Sequence, residues 1–159
     1  MPKKTCQIIV DGGNDYAIAV KGNQKNLHHQ IRHNTENTTP TSRYITTEKT
    51  RNRTTKRTVE VFHDLTGISQ EWVGLKSLIK VERIGHRADK AYHQVAYYIS
   101  SLVSSATDFA KGIRGHWGIE NCLHWVKDVI FDEDHSIIRM GNAPENLSIM
   151  RTMPSAKLR

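Results

Sequence analysis

Apolar and polar positions along this chain fall into short blocks of different period. Residues 3 to 10 open on Lys3, Lys4 and Gln7 and close on Ile8, Ile9 and Val10, which predicts a short helix. DGGN ends it, because glycine accepts the left-handed backbone of a helix terminus. Tyr16 to Val20 is an apolar run closed by Gly22 and Asn23, the pattern of a buried strand and its exit turn. KNLHHQIRHN predicts a short polar helix. RTVEVFHD, with Val59, Val61 and Phe62, is the clearest strand. SLIKVERIG and HQVAYYISSL follow. Strands at 58–64, 77–85 and 92–102 are evenly spaced, as in an antiparallel meander. Between them ISQEWVGL fits a short helix carrying Trp72, and Thr107 or Asp108 can cap the helix after the last strand.

Residues 34 to 57, NTENTTPTSRYITTEKTRNRTTKR, break this rhythm and predict a loop or irregular insertion. Arg43, Lys49, Arg51, Arg53, Lys56 and Arg57 stand there against one acid, Glu48. Such a run either contacts phosphate or is a solvated surface. The whole chain carries +7 in 159 residues, which favours a polyanionic partner, nucleic acid being the commonest. The length suits one ordinary domain. Cys6 and Cys122 form neither a CxxC pair nor a metal pattern, so a reduced, cytoplasmic protein is expected. No apolar run approaches the roughly 20 residues that span a bilayer, so no membrane is expected as a partner.

One stretch concentrates chemistry: GHWGIENCLHW, Gly115 to Trp125. If residues 108 to 131 are helical, Ile119, Leu123, Val126 and Ile130 form one apolar stripe. His116, Glu120, His124 and Lys127 lie along one flank of it. Three readings follow. Trp117 and Trp125 anchor the helix and the polar residues cover its border. Alternatively, His116, Glu120 and His124 face one metal ion, although their spacing is not that of HExxH. In the third, Glu120 is a catalytic carboxylate whose partners come from strands elsewhere.

The wider sequence bears on this choice. IRGHWGIENCLHWVKDVIFDED followed by GNAPENLSIMR resembles the C-terminal signature of the H-repeat-associated insertion-sequence transposases. DYAIAVKGNQ and RTVEVFHDL resemble further segments of that family in the same order. The resemblance covers roughly residues 3 to 152 and implies a DDE transposase with an α/β, RNase H-like catalytic domain, its sheet mixed and helices at its C-terminal end. Residues 1–152 would be the C-terminal part of that domain, and 153–159 a divergent tail in which Pro154 interrupts the pattern. The implied function is DNA transposition, with metal-dependent strand cleavage and transfer. The implied partners are transposon ends and target DNA; a homodimer is admitted, but no dimer surface is legible. The implied cofactor is Mg²⁺, two ions about 3.5–4 Å apart activating the attacking oxygen and stabilising the leaving one. Glu120 would be the last acid of the triad and a metal ligand. With Lys127 it matches the E-x6-K half of the Y-x2-R-x3-E-x6-K signature of neighbouring transposases, where Ile113 and His116 stand in place of Tyr and Arg. Lys127, Arg51, Arg53, Lys56 and Arg57 are the candidate DNA contacts.

The family's two aspartates sit in segments like DGKxxR and DAxxCQ, and neither occurs here. Asp11 ends an apolar run, but turn chemistry before Gly12-Gly13 makes it a helix-end residue. The expectation is therefore a truncated, catalytically incomplete copy, with a non-catalytic DNA-binding remnant as the alternative. An independent metal enzyme using His116, Glu120 and His124 is the further alternative.

Overall fold

A computed structural model of the chain describes residues 2–51, 53–87 and 90–119. The chain divides into two compact units, 1–110 and 111–159. Of the second, 111–119 are described. The elements in order are α1 (Pro2–Asp11), β1 (Ala17–Val20), α2 (Lys25–Asn37), β2 (Ser42–Thr50), β3 (Arg53–Phe62), β4 (Ser77–Arg87), β5 (Lys90–Ser100) and α3 (Ala106–Ile119).

α1 forms where the sequence predicts it, because Cys6, Ile9 and Val10 share one side at helical spacing. Cys6 is fully buried, and Ile9 and Val10 pack against the core. Its end is a Schellman turn: Asn14 N–H donates to the Ile9 carbonyl (3.0 Å) and Gly13 N–H to that of Val10 (2.9 Å). Gly13 supplies the left-handed residue, with φ of 72°. Asp11 is the exposed last residue of this helix, its carboxylate accepting from Gln7 Nε2 at 2.6 Å. α2 runs one turn beyond the predicted polar helix and buries Leu27, Ile31, Asn34 and Thr35 at helical spacing. Asn34 Nδ2 donates to the Thr66 carbonyl (2.8 Å), tying α2 to the connection after β3.

The five described strands form one sheet in the order β1-β5-β4-β3-β2, and every pairing is antiparallel. The expected meander is present and one strand longer. The expected mixed sheet is corrected among the described strands: β2, β3, β4 and β5 are neighbours in space as in sequence, and no crossover makes a neighbouring pair parallel. The expected loop over 34–57 is also corrected. It contains the last turn of α2, all of β2, and the outer half of β3, with Thr50 paired to Arg53 at the end of the hairpin. Thr is β-branched and prefers strands, but its hydroxyl hides the apolar alternation that marks one. The helix expected at ISQEWVGL is a series of turns, with Gly67 and Gly74 in left-handed conformation. Trp72 is nevertheless buried there. The cap of α3 is Ser105, not Thr107 or Asp108. Ser105 Oγ accepts the Asp108 N–H (3.2 Å) and donates to the Asp108 carboxylate (2.7 Å).

The core gathers at one end of the sheet. Phe62, Leu78, Tyr97 and Ile99 meet Cys6, Tyr16, Val20, Leu27, Ile31 and Trp72. The same strands then run out of this core, and their far ends lose burial: β3 is exposed at Arg53, β4 at Arg87, β5 at Lys90.

Candidate nucleic-acid interface

Successive side chains on a strand point to opposite faces, so register decides which residues share one. At the outer end of the sheet Arg53 pairs with Arg87, and Arg87 with Lys90, so the three stand side by side in one row. Two residues inward, Thr55, Gly85 and Tyr92 form the next row of the same face. Two further, Arg57 pairs with Arg83. The opposite face carries Lys49 and His86, then Lys56, Ile84 and His93, then Ile45, Glu82 and Val95.

The first face is organised by Tyr92. The Arg53 guanidinium lies 5.8 Å from the centre of the Tyr92 ring, and Arg53 Nε donates to Thr55 Oγ1 at 3.0 Å. The Thr55 and Tyr92 hydroxyls hydrogen-bond across Gly85. That bond draws the Tyr92 phenol below the usual tyrosine range, and the cations of Arg53 and Arg83 act the same way. Gly85 is required where it stands, because a Cβ would run into the Thr54 carbonyl oxygen. Arg57 Nη1 lies 3.4 Å from Glu48 Oε1, and Arg83 Nη2 donates to Gln94 Oε1 at 2.7 Å.

The structure divides the sequence-predicted basic residues. Arg53 and Arg57 share the Tyr92 face, Lys56 points to the other, and Arg51 is exposed in the β2–β3 turn. Arg43, exposed on edge strand β2, is engaged elsewhere: with Lys80 it flanks Glu60, a buried acid, at 2.6 Å and 3.5 Å. Arg83, Arg87 and Lys90 were not singled out from sequence, since no basic run contains them; only strand register brings them to Arg53 and Arg57. His116 is exposed on α3. Glu120, His124 and Lys127 lie outside the described residues, as does the apolar stripe from Leu123 to Ile130. Among the described residues no three His, Cys, Asp or Glu side chains gather as a metal site would need, and no helix is long and apolar enough to cross a membrane.

A basic, strand-built face of this kind has the charge to meet a polyanion. Residues 6–153 match the family model described as "Transposase DDE domain". The chain belongs to this DDE transposase family. It is 38% identical to "Putative transposase YncI" of Escherichia coli O157:H7, over 95% of this chain and 41% of YncI. It is 35% identical to "H repeat-associated putative transposase YhhI" of Escherichia coli K12, over 94% of this chain and 42% of YhhI. "Putative protein YbfL" of the same strain is 36% identical over similar shares. The chain thus spans about two fifths of the length of these relatives. No solved structure matches it. The H-repeat-associated resemblance carried by GHWGIENCLHW and its flanks is therefore a family membership.

Proposed function

We propose that these residues form part of a DNA transposase that cuts and rejoins DNA strands by DDE chemistry. The observation that carries this reading is the family match over residues 6–153, inside which Glu120 and Lys127 keep the E-x6-K spacing. In this reading residues 1–152 belong to an RNase H-like catalytic domain and 153–159 are a divergent tail. Glu120 is the triad's glutamate and a ligand of divalent metal, Mg²⁺ by its preference for carboxylate oxygen. Lys127, Arg51, Arg53 and Arg57 contact DNA phosphates, whereas Lys56, which strand register turns to the opposite face, does not. A bound metal pair would supply activation of the attacking oxygen and stabilisation of the leaving one. Among the described residues no three His, Cys, Asp or Glu side chains gather to hold it.

One glutamate cannot hold two ions, and the 159 residues contain neither aspartate motif of the family. By themselves they bind DNA without cutting it. The test is nicking of supercoiled plasmid with Mg²⁺ or Mn²⁺. The purified chain is expected to leave the plasmid intact. A chimera in which residues 6–153 replace the matching part of YncI is expected to transpose. Glu120→Ala should cost that chimera more than about 100-fold, above the 10–100-fold that the outer partners of a metal are worth. Nicking by the purified chain, abolished by Glu120→Ala, would overturn the incompleteness; a chimera indifferent to Glu120→Ala would overturn the role of Glu120.

A further inference from the structure

We propose that the Tyr92 face of the β3–β4–β5 ribbon is the surface that grips the DNA backbone, and that the opposite face of the same strands takes no part. The proposal rests on the transposase reading for the identity of the polyanion.

The first argument is electrostatic. Arg53 is paired with Arg87, Arg87 with Lys90, and Arg57 with Arg83. Like charges directly opposite on neighbouring strands destabilise a sheet. Glu48 beside Arg57 offsets part of the cost of three such pairs on one face, and a polyanion laid across them converts the repulsion into binding. The opposite face has a different character. Lys49 stands across from Thr54, and Lys56 across from Thr47 and Ile84, so neither lysine meets a like charge in register. His93 Nε2 and Glu82 Oε1 form a hydrogen bond there at 2.8 Å, and Ile45, Ile84 and Val95 are exposed. Apolar side chains and a satisfied carboxylate offer nothing to phosphate.

The second argument is geometric. Arg53, Arg87 and Lys90 are exposed. The Arg57–Arg83 row lies four residues further in, on the order of 13 Å away along the strands. Duplex DNA of that length carries on the order of half a dozen phosphate charges. Arg53 is held against the Tyr92 ring with its Nε bonded to Thr55, so less side-chain freedom is lost when its remaining donors meet phosphate. Among the described residues of these rows the one acid is Glu48, and it sits on Arg57. Contacts of this kind read charge rather than base sequence.

The test uses the purified chain and a fluorescent mixed-sequence duplex, with binding followed by anisotropy across a series of NaCl concentrations. Each phosphate contact contributes about 0.9 to the slope of log K against log salt. Arg53→Gln with Arg87→Gln should lower the slope by about 1.8 and weaken binding some tens of fold near 0.1 M salt. Lys49→Gln with Lys56→Gln removes the same charge from the other face and should leave the slope within about 0.5. Arg87→Gln with Lys90→Gln should match the first pair without disturbing the Arg53–Tyr92 contact. Equal losses from both faces, or a larger loss from the lysine pair, overturn the face assignment while leaving the transposase reading intact. A wild-type chain that does not bind the duplex overturns the inference together with DNA as its partner.

Discussion

The two ends of this sheet share strands, register and hydrogen-bonding pattern, yet their side chains do opposite things. At the inner end Val59, Val61 and Phe62 of β3 are 1%, 0% and 1% exposed. Further outward the same strand presents Arg53 and Lys56 to solvent. Backbone pairing is indifferent to this change; burial is not. The inner end holds the unit together through apolar area removed from water. The outer end contributes pairing but little burial, so its side chains are available for a partner. The border is marked by the Arg43–Glu60–Lys80 row, where one buried acid is satisfied by a cation on each side.

The comparison breaks most visibly with two substitutions on β3. Phe62→Ala should cost about 3–5 kcal/mol, the usual range for emptying a buried aromatic site. Arg53→Gln should change stability by no more than about 0.5 kcal/mol. Urea unfolding followed by circular dichroism reads both. Similar losses at the two positions would mean that the outer end is covered and that its exposure is not a property of the folded chain.

A smaller effect is expected at Gly85, the one place where the outer end is as tightly packed as the inner. A Cβ there meets the backbone oxygen of Thr54 and cannot be accommodated by a rotamer change. Gly85→Ala should therefore destabilise by about 1–3 kcal/mol, as overpacking does. It should also separate the Thr55 and Tyr92 hydroxyls that bond across this position. An unchanged urea midpoint would show that β3 and β4 part at no cost, and that the ribbon is looser than its register implies.

These two ends were not equally legible in the sequence. The inner strands announce themselves: valine, isoleucine and leucine alternate or cluster in RTVEVF, SLIKV and YYIS, because that end is built by burial. The outer end buries little on either face, so β2 and the start of β3 carry no apolar period and read as a loop. Their signal was the β-branched Thr46, Thr47, Thr50, Thr54 and Thr55. The basic cluster was half legible for a related reason. Sequence proximity joins Lys56 to Arg57, which the strand period sends to opposite faces, and it separates Arg53 from Lys90, which register brings into one row. A contact made across three strands leaves no local trace. Glu120 is the reverse case: the family motif marks it, and the described residues end just before it.

The smallest effect concerns the titration of a phenol at the inner end. Tyr16 is buried where β1 begins, and its hydroxyl donates to the Val73 carbonyl at 2.9 Å. Burial first, and the nearby Cys6 thiol second, raise its phenol well above the ordinary tyrosine value of 10.0. A raised acid favours the folded state fully below the ordinary value, and that contribution is lost as pH climbs from there toward the raised one, since the unfolded chain ionises first. Wild-type stability should thus fall above about pH 10. Tyr16→Phe should cost about 1 kcal/mol at neutral pH for the lost hydrogen bond. Above pH 10 its difference from wild type should narrow, because phenylalanine has no proton to release. Arg87→Gln, at the outer end and not among the groups that shift Tyr92, should run parallel to wild type through the same range. Urea midpoints at pH 7 through 11 measure all three chains. If the Tyr16→Phe and wild-type curves stay parallel, the phenol is not held neutral by the core, and the inner end is less closed to water than its buried side chains require.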